Sequence, residues 1–178
     1  MACAAAERTA HVKQKLTIEE RLERLESVEA IRALVATYAL GADRKNDPQI
    51  MRSLFCDDAR WEADGIARLE GGEAIATGLE ELARKLVLWS IHFMVSPLVQ
   101  LDVSGSRATC HWYLWELCTM AGDDGVARDT WLGGWYDSEA RLDPAGWRFS
   151  RVKLDLRLIS ANDVPWHFKK TASEDTVS

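Results

Sequence analysis

Between Ala108 and Leu117 the chain reads ATCHWYLWEL, which sets one carboxylate, Glu116, among two tryptophans, a tyrosine and a histidine. Read as a β-strand, with side chains alternating between faces, Cys110, Trp112, Leu114 and Glu116 share one face and His111, Tyr113, Trp115 and Leu117 the other. An acid on a Trp and Leu face loses solvation, which favours its neutral form, and a neutral carboxylic acid can give a proton to a departing oxygen. The competing reading is a buried ion pair with an arginine such as Arg157, which keeps the acid ionised. Alternation along LDLRLIS, however, puts Arg157 with Lys153 and Asp155 on the outward face unless a bulge flips the strand.

Three further residues carry possible chemistry. His92 opens an apolar run with Phe93, Met94 and Val95 beside it. A neutral imidazole can take a carbon-bound proton, but only if one ring nitrogen is held unprotonated toward the substrate. The plain alternative is a hydrogen-bonded structural histidine. Asp43, in GADRKND, could hold the ring by accepting its Nδ1–H, or could be a solvated turn residue. Tyr38 lies on the apolar stripe of a helix, where its phenol either packs or donates to a developing oxyanion.

The elements that must position these groups follow from periodicity. TIEE gives a capping box with Thr17 as N-cap and Glu20 reaching back, and Leu22, Leu25, Val28, Ile31, Leu34, Val35 and Tyr38 continue an amphipathic helix to about Leu40. Asp47 before Pro48 starts a second helix. ARWEA, Asp64-Gly65 and IARLEG read as a hairpin with a type I′ turn. Gly72 to Trp89 reads as helix interrupted near Gly78. Four strands then follow, over about 92–103, 107–121, 128–142 and 147–160, separated by SGS, GDDG and DPAG. Helices followed by a long antiparallel meander predict an α+β domain.

The chain has 178 residues, a formal net charge of -6 and eight tryptophans. That length suits one domain, over 16–168, with a flexible arm over 1–15 and a polar tail over 169–178. Cys3, Cys56, Cys110 and Cys118 have no metal-binding spacing, and no glycine-rich phosphate or dinucleotide fingerprint is present, so neither metal nor cofactor is expected. The charge argues against nucleic acid, and no run is long and apolar enough for a membrane span. A reduced, cytoplasmic setting is the default. The tryptophans suit a hydrophobic small-molecule ligand, with core or subunit interface as alternatives. Trp61, Trp89, Trp112 and Leu114 are the candidate substrate-binding wall. His111, Tyr113 and Trp115 form a possible contact in a homodimer or homotrimer.

Four segments, EAIRALVATYALGADRKND, LFCDDARWEADG, SIHFMVSPLVQLDVSGSRATCHWYL and GWRF, resemble the SnoaL-like branch of the nuclear transport factor 2-like superfamily. The resemblance runs over about residues 16–159. It implies a cone of curved antiparallel sheet wrapped around the N-terminal helices, with one deep pocket. Asp43 and His92 look like the catalytic pair of hexachlorocyclohexane dehydrochlorinases. Tyr38, Asp43, His92 and a carboxylate after WYL look like those of bile acid 7α-dehydratases, whose last-strand arginine matches Arg157. Two departures stand out: Glu116 replaces an Asp, and Ser96 replaces an Asn that could fix a ligand oxygen.

The resemblance implies a cofactor-independent lyase of dehydratase type acting on a polycyclic or aromatic compound, with His92 as base, Asp43 orienting it, Tyr38 as oxyanion donor and Glu116 as acid. Arg157 joins the expected substrate-binding set. Carbon–carbon cleavage of a diaryl alcohol, double-bond isomerisation and a non-catalytic binding or assembly module of the same fold are the alternatives.

Overall fold

The structure is a computed structural model that describes residues 16–122, 124–162 and 164–167. The expected N-terminal arm and polar tail lie outside the described residues. The first helix, α1 (Ile18–Asp43), begins at the predicted capping box: the Glu20 N–H donates to Thr17 Oγ1 at 3.1 Å, and the Thr17 N–H donates to Glu20 Oε2 at 2.7 Å. It runs past Leu40 to Asp43 and buries Ile31, Val35, Tyr38 and Ala42. Helix α2 (Pro48–Leu54) is capped by Asp47, which accepts from the N–H groups of Gln49 and Ile50.

Strands β1 (Phe55–Ala63) and β2 (Ala67–Glu70) form the hairpin. Its turn differs from the expected type I′. Gly65 has φ +76 while Asp64 is not left-handed, and the Ile66 N–H closes onto the Ala63 carbonyl, so the turn is of type II. Helix α3 (Gly72–Leu86) is continuous through Gly78, whose missing Cβ makes room for Leu69. It stops before VLWSI, where β-branched and aromatic residues already form strand β3.

Strands β3 (Val87–Leu101), β4 (Arg107–Ala121), β5 (Ala127–Asp143) and β6 (Gly146–Ala161) make the long meander. One curved, unclosed sheet has the order β2-β1-β6-β5-β4-β3. All neighbours are antiparallel except β1 and β6, which run parallel, so the sheet is mixed rather than purely antiparallel. The helices lie against its inner face, and Tyr38, Phe55, Trp61, Trp112, Tyr136 and Phe149 share the core between them.

Bulges help set the curvature. On β3, Ser96 and Pro97 fall between the pairs Val95↔Tyr113 and Leu98↔His111, and Ser96 has φ +56. An asparagine would suit that left-handed backbone better than serine does. On β6, Arg157 is the extra residue between Gly133↔Leu158 and Gly134↔Leu156. The bulge crowds the neighbouring strand, because a Cβ on Gly134 would lie 2.2 Å from the Asp155 carbonyl oxygen. Gly134→Ala should therefore destabilise the fold by about 1–3 kcal/mol, read as a lower urea midpoint. An unchanged midpoint would show that the bulge can move aside.

Candidate active site

Asp43 is the last residue of α1, and the loop that follows it is pinned at two points. Lys45 and Asn46 both take left-handed backbone, with φ +61 and +54. Lys45 Nζ donates to the carbonyls of Val87 and Leu88, and Asn46 Nδ2 donates to the Leu79 carbonyl at 2.9 Å. The end of α1 is thereby tied to α3 and to the first residues of β3. Because β3 is an edge strand, backbone groups on one side have no sheet partner. The His92 N–H is such a group, and it donates to Asp43 Oδ1 at 2.8 Å. The same oxygen lies 2.9 Å from His92 Nδ1. A carboxylate can only accept there, so Nδ1 carries the proton and Nε2 faces the sheet interior.

Opposite His92 on β4 stands Glu116. With the His92 N–H turned toward Asp43, the two residues form a non-hydrogen-bonded pair, the kind whose side chains lie closer together. Nε2 of His92 is 3.3 Å from Glu116 Oε2, and the acid is 5% exposed. Its buried partner is thus the histidine and not an arginine. A bare Nε2 lone pair and a bare carboxylate would repel, so one proton belongs between them. Burial is the largest single influence on His92 and disfavours its imidazolium. Glu116 and then Asp43 together outweigh it, leaving the imidazole above its ordinary value. The neighbouring Cys118 thiol is pushed up to about 12 by burial and by the Glu116 charge, which keeps it neutral and unreactive.

Tyr38 lies within reach of the Glu116 charge, and burial holds its phenol well above the usual range. Trp61 Nε1 donates to the Tyr38 oxygen at 2.9 Å, so the Tyr38 proton remains available to donate elsewhere. Trp112 stacks between Tyr136, at 5.0 Å, and Phe149, at 5.5 Å. Leu114 is also on the inner face, paired with Met94 and Gly134.

The structure brings His92, Asp43, Glu116 and Tyr38 to one side of the sheet, and Trp61, Trp112 and Leu114 are buried on that same side. It does not bring Trp89 or Arg157. Trp89 pairs with Thr119 and shares the outer face with Ile91 and Phe93, because it belongs to β3 and not to a helix. The bulge at Arg157 reverses the faces beyond it but leaves Arg157 itself outside, 4.7 Å over the Trp135 ring and 2.6 Å from Asp155. Both are corrections to the expected substrate wall. Tyr136 and Lys45 went unrecognised in the sequence. Alternation along GGWYDS places Tyr136 opposite Trp135, but the Lys45 clip has no sequence signature. Among the described residues no group of three or more His, Cys, Asp and Glu is arranged to hold a metal ion, and no helix is long and apolar enough to cross a membrane.

The raised His92 value gives a pH prediction. In an NMR titration of the wild-type protein, the His92 ring should change charge above the ~6.5 of a free imidazole. Asp43→Asn should move it downward by removing one carboxylate. Stability linked to this group is fully present below the unfolded-state value and is lost as pH rises through the folded one. Asp43→Asn should therefore cost more stability at about pH 6 than well above the folded value. An unshifted titration in the variant would separate Asp43 from the histidine.

No curated protein matches this chain. Among solved structures, LinA superposes with a TM-score of 0.75 at 18% identity, covering 85% of this chain and 99% of its own. The hexachlorocyclohexane dehydrochlorinase LinA-type3 from Novosphingobium barchaimii gives 0.73 at 22% identity with the same coverage, 85% and 99%. A scytalone dehydratase-like protein from Novosphingobium aromaticivorans gives 0.68 at 18%, covering 82% and 93%. Likeness at these identities shows a shared fold. Residues 23–153 match the SnoaL-like domain family, and the protein belongs to that family, with its nuclear transport factor 2-like fold.

Proposed function

We propose that the protein is a cofactor-independent lyase of dehydratase type, acting on a polycyclic or aromatic small molecule. The observation that carries this reading is the single imidazole held between two carboxylates, Asp43 at 2.9 Å on Nδ1 and Glu116 at 3.3 Å on Nε2. The dehydrochlorinase and scytalone dehydratase-like neighbours make elimination the reaction type to test first. The reactive state has the shared proton on Glu116, leaving Nε2 of His92 free. Nε2 then takes a proton from the carbon next to an activating carbonyl. Tyr38 donates a hydrogen bond to the developing enolate oxygen. Glu116 gives its proton to the β-hydroxyl, which leaves as water. The products are an alkene, an imidazolium and a carboxylate. Proton transfer from Nε2 to Glu116 across their 3.3 Å contact restores both groups for the next turnover. Asp43 orients the ring throughout and stabilises its charged form.

Expulsion of another β leaving group, isomerisation and carbon–carbon cleavage use the same base, so product analysis of a panel of hydroxysteroids and diaryl alcohols by mass spectrometry selects among them. His92→Ala should lower kcat by about 10²-fold to 10⁴-fold while ligand binding persists. Glu116→Gln should lower dehydration by a similar factor and leave exchange of the substrate's carbon-bound proton closer to normal, because only departure of the hydroxyl needs the acid. Undiminished turnover in His92→Ala would remove His92 as the base, and binding without turnover of any panel compound by the wild-type chain would leave a binding module.

We also place a second copy of the chain, in a homodimer or homotrimer, on the outer sheet face, where Tyr113 is 51% and Trp115 is 42% exposed. Apolar surface of that kind favours a protein contact. The protein's setting in this reading is the cytoplasm, where the buried thiols of Cys56, Cys110 and Cys118 stay free. Light scattering at micromolar concentration should give an assembly, and Trp115→Glu should dissociate it. A wild-type monomer would remove the contact.

A further inference from the structure

One group in the interior has no account in this chemistry. Trp112 Nε1 is the buried side-chain nitrogen or oxygen that, among the described residues, has no hydrogen-bond partner. The residue is 0% exposed. A buried N–H without an acceptor loses the water it bonds in the unfolded chain and regains nothing, which is why such groups are rare and call for an explanation. Nor is the ring free to turn toward a partner elsewhere. Tyr136 stacks on it at 5.0 Å and 17°, Phe149 lies at 5.5 Å and 30°, and Tyr38 lies at 6.4 Å. Packing thus fixes the orientation of the donor before any ligand arrives.

Trp112 and Glu116 share the inner face of β4 with Leu114 between them. Four residues of strand separate their backbones by about 13 Å. A ligand reacting beside Glu116 and reaching Trp112 must therefore be a long, flat skeleton of two or more rings. Its far end meets aromatic side chains, where a charge would be heavily penalised. A hydroxyl there would need a second partner for its own O–H, from Tyr38 or Tyr136, whereas a ketone or ether oxygen needs none.

We infer that Trp112 Nε1–H receives a neutral acceptor oxygen, a ring ketone or ether, carried by the substrate at the end remote from the reacting carbon. The inference rests on the inner face being the substrate's site, as proposed above, and it narrows the substrate class to multi-ring compounds oxygenated at both ends. Discrimination follows from the same geometry: a deoxygenated analogue of equal shape leaves the N–H without a partner and is rejected, whereas a hydrophobic wall alone would accept both.

The test uses the full wild-type chain with ¹⁵N-labelled tryptophan and two probes of matched shape, fluorenone and fluorene. The indole N–H signal of Trp112 is assigned by its loss in Trp112→Phe, or by side-chain to backbone correlation in the wild type if that variant does not fold. Fluorenone should move the Trp112 N–H signal downfield as a new hydrogen bond forms, while fluorene, bound in the same place as judged by the Leu114 and Met94 methyl signals, should not. Fluorenone should also bind about five-fold tighter than fluorene, and Trp112→Phe should abolish that preference. The inference is overturned if both probes move the N–H signal equally, if fluorenone shifts the methyl signals but not the indole, if fluorenone fails to bind, or if the signal is already hydrogen-bonded in the free protein and contacts an internal water. Repeating the titration on His92→Ala separates the two readings. If the fluorenone response persists while no compound in the panel is ever turned over, the lyase reading falls and the Trp112 site stands. If turnover is found without any indole response, the reverse holds.

Discussion

A single carboxylate oxygen governs the site. Asp43 Oδ1 accepts from both the backbone N–H and the ring Nδ1 of His92, and the two bonds together fix what neither could alone. The backbone bond sets where β3 stands relative to the end of α1. The ring bond sets the rotamer and tautomer of the imidazole on that strand. The inward presentation of Nε2, its contact with Glu116 and the proton shared between them all follow from that geometry. The supporting structure is correspondingly local: Lys45 and Asn46 hold the loop behind Asp43 against β3 and α3. For the proposed lyase, preorganisation of this kind would cost nothing further at the moment of reaction, because the orienting group is in place before a substrate arrives.

Much of this could be read in the sequence, for identifiable reasons. The Thr17 cap, the Asp47 start of α2 and the alternation of Cys110, Trp112, Leu114 and Glu116 on one face all depend on near neighbours, and each is found as expected. The nearness of Asp43 and His92 is a long-range fact that no spacing reveals, and only the family resemblance suggested it. The errors came where a tertiary constraint overrode local pattern. LVLWS carries helix periodicity from α3, yet the edge of the sheet recruits it as strand and turns Trp89 outward. Arg157 is a different case: alternation already put it on the outward face, where its guanidinium lies over Trp135, and only the family resemblance had drawn it into the substrate wall. The parallel pairing of β1 with β6 was equally hidden, since it joins segments about ninety residues apart in sequence.

Glu116 shows how a residue's burial can be legible in the sequence while its partner is not. Its burial was legible from alternation, but its partner depended on register across β3 and β4. That register sets His92, and not an arginine, directly opposite it. A one-residue slip would have turned the imidazole to the outer face and left the acid against Ile91 or Phe93. The bulge at Ser96 and Pro97 lies between this position and the far end of the strand.

Asp43 has a second consequence, which belongs to folding in a crowded cell and not to catalysis. The segment VLWSIHFMV is an apolar, β-prone strand at the open border of a sheet, the kind of surface on which another chain can add a strand of its own. Asp43 occupies an outward-pointing amide in the middle of it, and Lys45 occupies carbonyls at its start. The same contacts that hold the histidine thus close a docking register for unwanted β-augmentation. Selection on this corner of the molecule would then act twice, once on reactivity and once on remaining a soluble species. A lineage that lost its chemistry would still have cause to keep the acid.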